Sequence, residues 1–265
     1  MLLRSEHLRV AADNLELAVE WLRPYGAAGV NYEVGTLGDQ LPEIRAWLSG
    51  LCRDDGWAKG FYNSDVEFVL ALALALPQDG EPDTGGGEPD NGGVERGDDG
   101  WYVAGGAPVV LFGDAHFDAG LTLEGPLVVL GDLTVDGLLQ DGDVDQSLLA
   151  VTGDLRARAL HSGAFNLVLG DIAADVIVCF NSDGGLGAGG DIVADLFVQG
   201  QHSYELGGDL RVRVPILDWL PDGTVLAQEG TAEERLEPWL PAGHTIWQLL
   251  TEAGEGRSPV LAHRD

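Results

Sequence analysis

Six Gly-Asp pairs stand at near-regular intervals through the middle of this chain, and their spacing narrows the folds open to it. They are Gly113-Asp114, Gly131-Asp132, Gly153-Asp154, Gly170-Asp171, Gly190-Asp191 and Gly208-Asp209, at intervals of 18, 22, 17, 20 and 18 residues. A repeat of this length without helical patterning corresponds to one coil of a stacked solenoid. After each pair the register holds: DLTVDGLL, DLRARALH, DIAADVIV, DIVADLFV and DLRVRVPI, with DAHFDAGL as a looser first copy. Apolar residues take alternate places, as Leu133 and Val135, Leu155 and Ala157, Ile172 and Ala174, Ile192 and Ala194, Leu210 and Val212. Alternation sends one set inward and the other outward on a strand. The expected fold is mainly β with α: a parallel β-solenoid of about six coils, with an N-terminal helical block and a C-terminal helical cap.

In this reading the pairs Gly131-Asp132, Gly153-Asp154, Gly170-Asp171, Gly190-Asp191 and Gly208-Asp209 are structural corners. Glycine supplies backbone freedom for the turn, including positive φ. Aspartate accepts nearby backbone N–H groups in an Asx-type turn. Stacking in register also predicts an outward column of Asp118, Asp136, Arg158, Asp175, Asp195 and Arg213. Arg158 then falls between Asp136 and Asp175, and Arg213 beside Asp195.

Around the repeat the chain divides into further parts. Residues 1–76 read as helical. Leu8, Leu15, Ala18 and Leu22 form one stripe that Pro24 and Gly26 end. Leu41, Ile44, Leu48 and Leu51 form another. Ser64 and Glu67 have capping-box spacing before the apolar run Val66 to Leu76, which is read as helix over strand. Residues 77–106 are rich in Gly, Pro and acid and read as a linker or loop, since so little apolar surface cannot offset ordering entropy. Residues 107–214 hold the solenoid. Residues 215–265 read as a capping segment, with Trp219, Trp239 and Trp247 over the last coil.

Charge limits the partners. Lys and Arg number 14 against 44 Asp and Glu, a formal net charge of −30. Nucleic acid and anionic membranes need Lys and Arg, so neither is an expected partner. A basic protein surface is, because opposite fields steer association. The residues expected to meet it are Asp118, Asp136, Asp175 and Asp195, with the acidic loop residues Asp141, Asp143 and Asp145. Cys52 and Cys179 do not form a disulfide framework. Charge interrupts the first residues before any signal core forms, and the run Val66 to Leu76 is too short to span a bilayer. The expected compartment is the cytoplasm.

No residue pattern demands chemistry. Asp114, His116 and Asp118 alternate as metal ligands would, yet the repeat already accounts for them. Asp141, Asp143 and Asp145 begin like a calcium loop, but Gln146 and Thr152 break the EF-hand pattern. Cys179, His161 and His202 invite a Cys-His pair, although a Cys after Val-Ile-Val suits core packing better. Phosphate-loop, zinc, nucleophile-elbow and dinucleotide signatures are absent. No catalytic residue, metal or cofactor is expected.

The segment VVLGDLTVDGLL … AVTGDLRARAL … LVLGDIAADVIV … GGDIVADLFV … GGDLRVRV, about residues 107–214, resembles acidic bacterial solenoid proteins built on a Gly-Asp-Leu repeat. It is more distantly similar to bactofilins, the polymer-forming cytoskeletal proteins. The first resemblance implies an immunity role at polymorphic-toxin loci. The second implies end-to-end assembly, which covered ends would oppose. Three functions follow in order of expectation. The first is a non-enzymatic immunity protein that occludes a basic toxin domain. The second is a polymer-forming scaffold. The third is a carbohydrate-active solenoid enzyme. The oligomeric state is left open.

Overall fold

The computed structural model describes residues 5–27, 37–51, 66–76, 93–105, 108–141, 147–180, 184–220, 224–226, 230–241 and 243–257. Its centre is a parallel β-solenoid of about six turns, with helices on its flanks.

Each full coil contributes one long strand and one short one. The long strands are β7 (Leu133–Asp141), β9 (Leu155–Ser162), β11 (Ile172–Phe180), β13 (Ile192–Gly200) and β15 (Leu210–Leu217). The short ones are β6 (Pro126–Leu130), β8 (Leu148–Val151), β10 (Phe165–Val168), β12 (Gly185–Ala188) and β14 (Ser203–Leu206), preceded by β3 (Val109–Phe112). In the first coil the long strand is split. Both β4 (Ala115–Phe117) and β5 (Leu121–Leu123) pair in parallel with β7. An antiparallel hairpin, β1 (Val94–Arg96) and β2 (Tyr102–Ala104), joins the sheet through β5.

The long strands bend, and the bend is visible in the side-chain phase. Leu155 and Ala157 point into the interior core, as do Leu160 and Ser162 further on, which leaves Arg158 and Ala159 as two consecutive outward residues. The same break falls at Asp175-Val176 and Asp195-Leu196. Strict alternation allows no such pair on a flat strand. Each coil therefore has three sides: the first half of the long strand, its second half, and the short strand. Their inward side chains form one apolar interior, with a column running from Ala115 through Leu133, Leu155, Ile172 and Ile192.

Two of the three outer sides are apolar and are covered by the chain's own helices. On the short-strand side, Val110, Val128, Leu148, Ala150, Leu167 and Leu169 meet the N-terminal block. That block is α1 (Ser5–Ala27), α2 (Leu41–Leu51) and α3 (Val66–Ala75). The α3 helix lies between α1 and the sheet, so Val69 through Ala73 are buried all round. A helix apolar on every side belongs in such a position. On the second-half side, Leu138, Ala159, Val176, Val178, Leu196 and Val198 meet α4 (Ala232–Leu236) and α5 (Ile246–Gly254). Thr245 begins α5 with a capping box to Gln248.

Several boundaries differ from the sequence reading. The α1 helix runs through Pro24 to Ala27. Part of the acidic stretch is the β1–β2 hairpin. Residues 77–92, with Cys52, Lys59, Ser64, Asp143 and Asp145, lie outside the described residues. Strand β15 passes through Pro215 to Leu217, because an edge strand has no neighbour that needs the missing N–H. Of the three tryptophans expected over the last coil, Trp219 alone packs on the interior column and bridges to Val225. Trp239 and Trp247 lie on the helix-covered flank instead. Among the described residues no helix is long and apolar enough to cross a membrane.

Candidate functional site

The remaining side of the solenoid, the first half of each long strand, carries no helix among the described residues. Its central column is His116, Thr134, Arg156, Ala173, Val193 and Arg211, in register across successive coils. Val193 leaves 41% of its surface exposed. One border is the column of corner aspartates. The other is Asp118, Asp136, Arg158, Asp175, Asp195 and Arg213, stacked in the order expected. Across the two borders and the centre, carboxylates outnumber guanidiniums ten to four. A shallow groove of about 740 Å³ runs along this side past Arg156, Ala173, Asp175, Val193, Asp195 and Arg211.

The corner column explains itself through the backbone. The N–H of Asp132 donates to Asp114 Oδ1 at 2.9 Å, and that of Asp154 to Asp132 Oδ1 at 2.9 Å. The N–H groups of Asp171, Asp191 and Asp209 continue the series onto Asp154, Asp171 and Asp191. Each carboxylate thus serves the next coil rather than its own turn, which corrects the Asx-turn expectation. The glycines also have another role than positive φ, which only Gly113 among the six adopts. A Cβ at Gly153, Gly170, Gly190 or Gly208 would meet the preceding coil's Asp Oδ1 at 1.9–2.4 Å. Glycine is there because the coils approach too closely for any side chain. Arg156 lies 2.6 Å from Asp154, and Arg211 lies 2.8 Å from Asp191, so two guanidiniums offset the stacked charge.

In the opposite border the pairs are partly those expected. Arg213 Nε reaches Asp195 at 3.2 Å. Arg158 sits beside Asp136 but donates to its backbone carbonyl at 2.8 Å, not to its carboxylate. Asp136 instead takes His116 at 2.9 Å, and Asp118 takes the Tyr102 hydroxyl at 3.0 Å. Asp114, His116 and Asp118 are therefore each committed to a different neighbour. Among the described residues no group of three His, Cys, Asp or Glu side chains is placed to hold a metal.

Asp141 is the clear correction among the residues expected at the surface. It is 2% exposed and faces the interior, where no partner reaches it. Gly163 N–H donates to its Oδ1 and Asn166 Nδ2 to its Oδ2. Asn166 also donates to Ser162 Oγ at 2.6 Å, and Ser162 shares a hydrogen bond with His202 at 3.2 Å. The imidazole enters over Gly184, where a Cβ would sit 2.5 Å from the ring. Sequence reasoning considered His202 as a partner for Cys179 and missed that coil stacking joins it to Ser162. The series is Asp–Asn–Ser–His, so the carboxylate does not orient the imidazole as nucleophile activation requires. Ser162 and His202 are also fully buried. Burial pushes the Asp141 carboxyl above its usual range, and burial holds His161 below its own. Cys179 is buried in the same region, and burial pushes its thiol well up, so it stays protonated. The cluster is a hydrogen-bonded interior corner.

Comparison of the chain with protein-family models, with curated proteins and with solved structures gives no match.

Proposed function

We propose that this chain is a non-enzymatic binding module whose uncovered side receives a basic protein. A toxin domain silenced by occlusion is the occupant that fits this reading and the repeat's resemblance. The observation that carries it is the contrast between the three sides. Two are apolar and sealed by the chain's own helices. The third keeps a rigid charged lattice open to solvent, with Val193 and Ala173 at its centre. Parallel coils hold these carboxylates at roughly 4.8 Å intervals, so little side-chain ordering is left for binding to supply. The overall charge of −30 adds long-range attraction for a cationic partner.

Pull-down from the native host, eluted along a salt gradient, tests the proposal. The expected partner is basic, leaves the column as ionic strength rises, and is lost to a D171N/D175N/D191N/D195N variant. A partner held equally at high salt, or captured equally by the variant, overturns it. End-to-end assembly is the weaker reading. The first coil is joined to the β1–β2 hairpin, and the outermost strand of the last coil carries Pro215. Filaments of the pure protein under the electron microscope would reverse that order.

A further inference from the structure

We infer that a cleft at the border of the open side takes one basic side chain of the partner, an arginine or a lysine. This inference rests on the binding-module reading and adds the point at which the partner is anchored. The cleft encloses about 350 Å³ among Trp101, Asp118, Asp136, Leu138, Arg158 and Glu255. It exists because three segments converge on glycines. A Cβ at Gly120 would lie 2.6 Å from the Trp101 ring, so the indole rests directly on the backbone there. A Cβ at Gly137 would lie 2.6 Å from Gly120 N, and one at Gly254 would lie 2.9 Å from Leu138 N. Hairpin, solenoid bend and the end of α5 are thereby brought around one hollow. Strand β7 also bulges at this point, between Val135 and Leu138, so that Asp136 and Gly137 together stand opposite Arg158.

The chemistry of the walls selects a cation. Asp118 uses Oδ1 for Tyr102 and Arg96, and Asp136 uses Oδ2 for His116. The second oxygen of each has no hydrogen bond among the described residues. The two carboxylates belong to successive coils and so stand roughly 5 Å apart at the backbone. The α5 helix ends in the same hollow, adding the negative end of its dipole. Arg158 is already engaged, with Nε on the Asp136 carbonyl and Nη1 against Gly256, and it closes one end. The lining carries three carboxylates and that one guanidinium, while Arg96 and Arg257 pair from outside the lining with Asp118 Oδ1 and Glu255 Oε2, so the unengaged oxygens of Asp118 and Asp136 are what the hollow offers a cation. A partner carboxylate would be repelled. A neutral group would desolvate the two carboxylates without compensating them. A guanidinium or ammonium pairs with both and lies against the indole.

The probe is N-acetyl-arginine-N-methylamide, with the citrulline derivative as its neutral isostere and an octa-arginine peptide as a test of the parent reading. The full chain is titrated by NMR while the Trp101 indole N–H is followed, assigned with W101F. The arginine derivative is expected to move that resonance. The citrulline derivative, and the D118N/D136N variant, should each weaken binding about tenfold. D13N/E43Q, exposed on α1 and α2 and outside the open side, should leave it unchanged. E255Q, at the exposed helix end, gives a second variant that spares the solenoid and should also weaken binding. Equal binding of citrulline, or equal loss in D13N/E43Q, overturns the inference. Octa-arginine that binds wild type and D118N/D136N alike overturns the cleft and leaves the module standing. Octa-arginine that does not bind at low salt overturns both.

Discussion

Each Gly-Asp corner passes a carboxylate oxygen to the N–H of the following coil, where a flat sheet would supply a backbone carbonyl. Gly190→Ala would drive a methyl to 1.9 Å from Asp171 Oδ1, and we expect a loss of about 1–3 kcal/mol in denaturant unfolding. Asp171→Ala leaves the Asp191 N–H without its acceptor, for about 1 kcal/mol. Asp171→Asn keeps the acceptor and removes a charge stacked between Asp154 and Asp191. It should be neutral or stabilising, and a loss as large as that of alanine would refute the acceptor account. Asp141 behaves differently because it is buried. Its carboxyl is raised above the usual 3.8, so the folded state holds the proton more tightly than the unfolded chain does. That contribution is complete below pH 3.8 and is lost as pH rises through the folded value. Asp141→Asn should therefore gain on wild type in thermal midpoint between pH 4 and pH 7. Asp141→Ala, which removes the carboxylate that accepts from Gly163 N–H and Asn166 Nδ2, should cost about 1–3 kcal/mol throughout.

The helices divide the apolar outer sides between them. Leu249, Leu250 and Ala253 are the buried side of α5, against Leu138, Ala159 and Val176. Leu250→Ala should cost about 2–5 kcal/mol, and hydrogen exchange should report the loss first in α5 and in the second halves of β7 and β9. Trp247 stacks on His161 with ring centroids 4.6 Å apart. His161 lies below its usual 6.5 through burial, so its contribution is present above pH 6.5 and lost as pH falls through the folded value. His161→Phe keeps a stacking ring and should flatten that acid limb in a pH series of melts. Elements of this kind were only half legible. Leu41, Ile44 and Leu48 mark α2 by their spacing, and the all-apolar run Val66 to Leu76 marks a buried segment. What covered which side was not readable, because Leu138, Ala159 and Val176 look like any strand residues until the bend turns them outward.

At the scale of the molecule the charge matters more than any pair. Exposed ion pairs such as Arg213–Asp195 are each worth about 0–1 kcal/mol. Ten stacked carboxylates within a chain of −30 repel one another over roughly 10 Å at ~0.1 M salt. Adding sodium chloride up to ~0.5 M should raise the thermal midpoint by screening this repulsion. A midpoint that falls instead would mean the arginines at 156, 158, 211 and 213 already balance the open side. The stacking order of Asp118, Asp136, Arg158, Asp175, Asp195 and Arg213 was legible, because a constant count after each Gly-Asp pair makes repeats into neighbours. The turning of Arg158 toward a carbonyl, and the burial of Asp141, were not.

The sequence alone determined the winding: a period of about twenty residues, alternating aliphatics and a side-chain-free corner leave parallel coils as the way to bury every repeat equivalently. Tertiary structure decided which side stays open. That choice depends on where helices from the two ends of the chain land, through contacts between residues far apart in sequence, and no local pattern encodes which of three outer sides they meet.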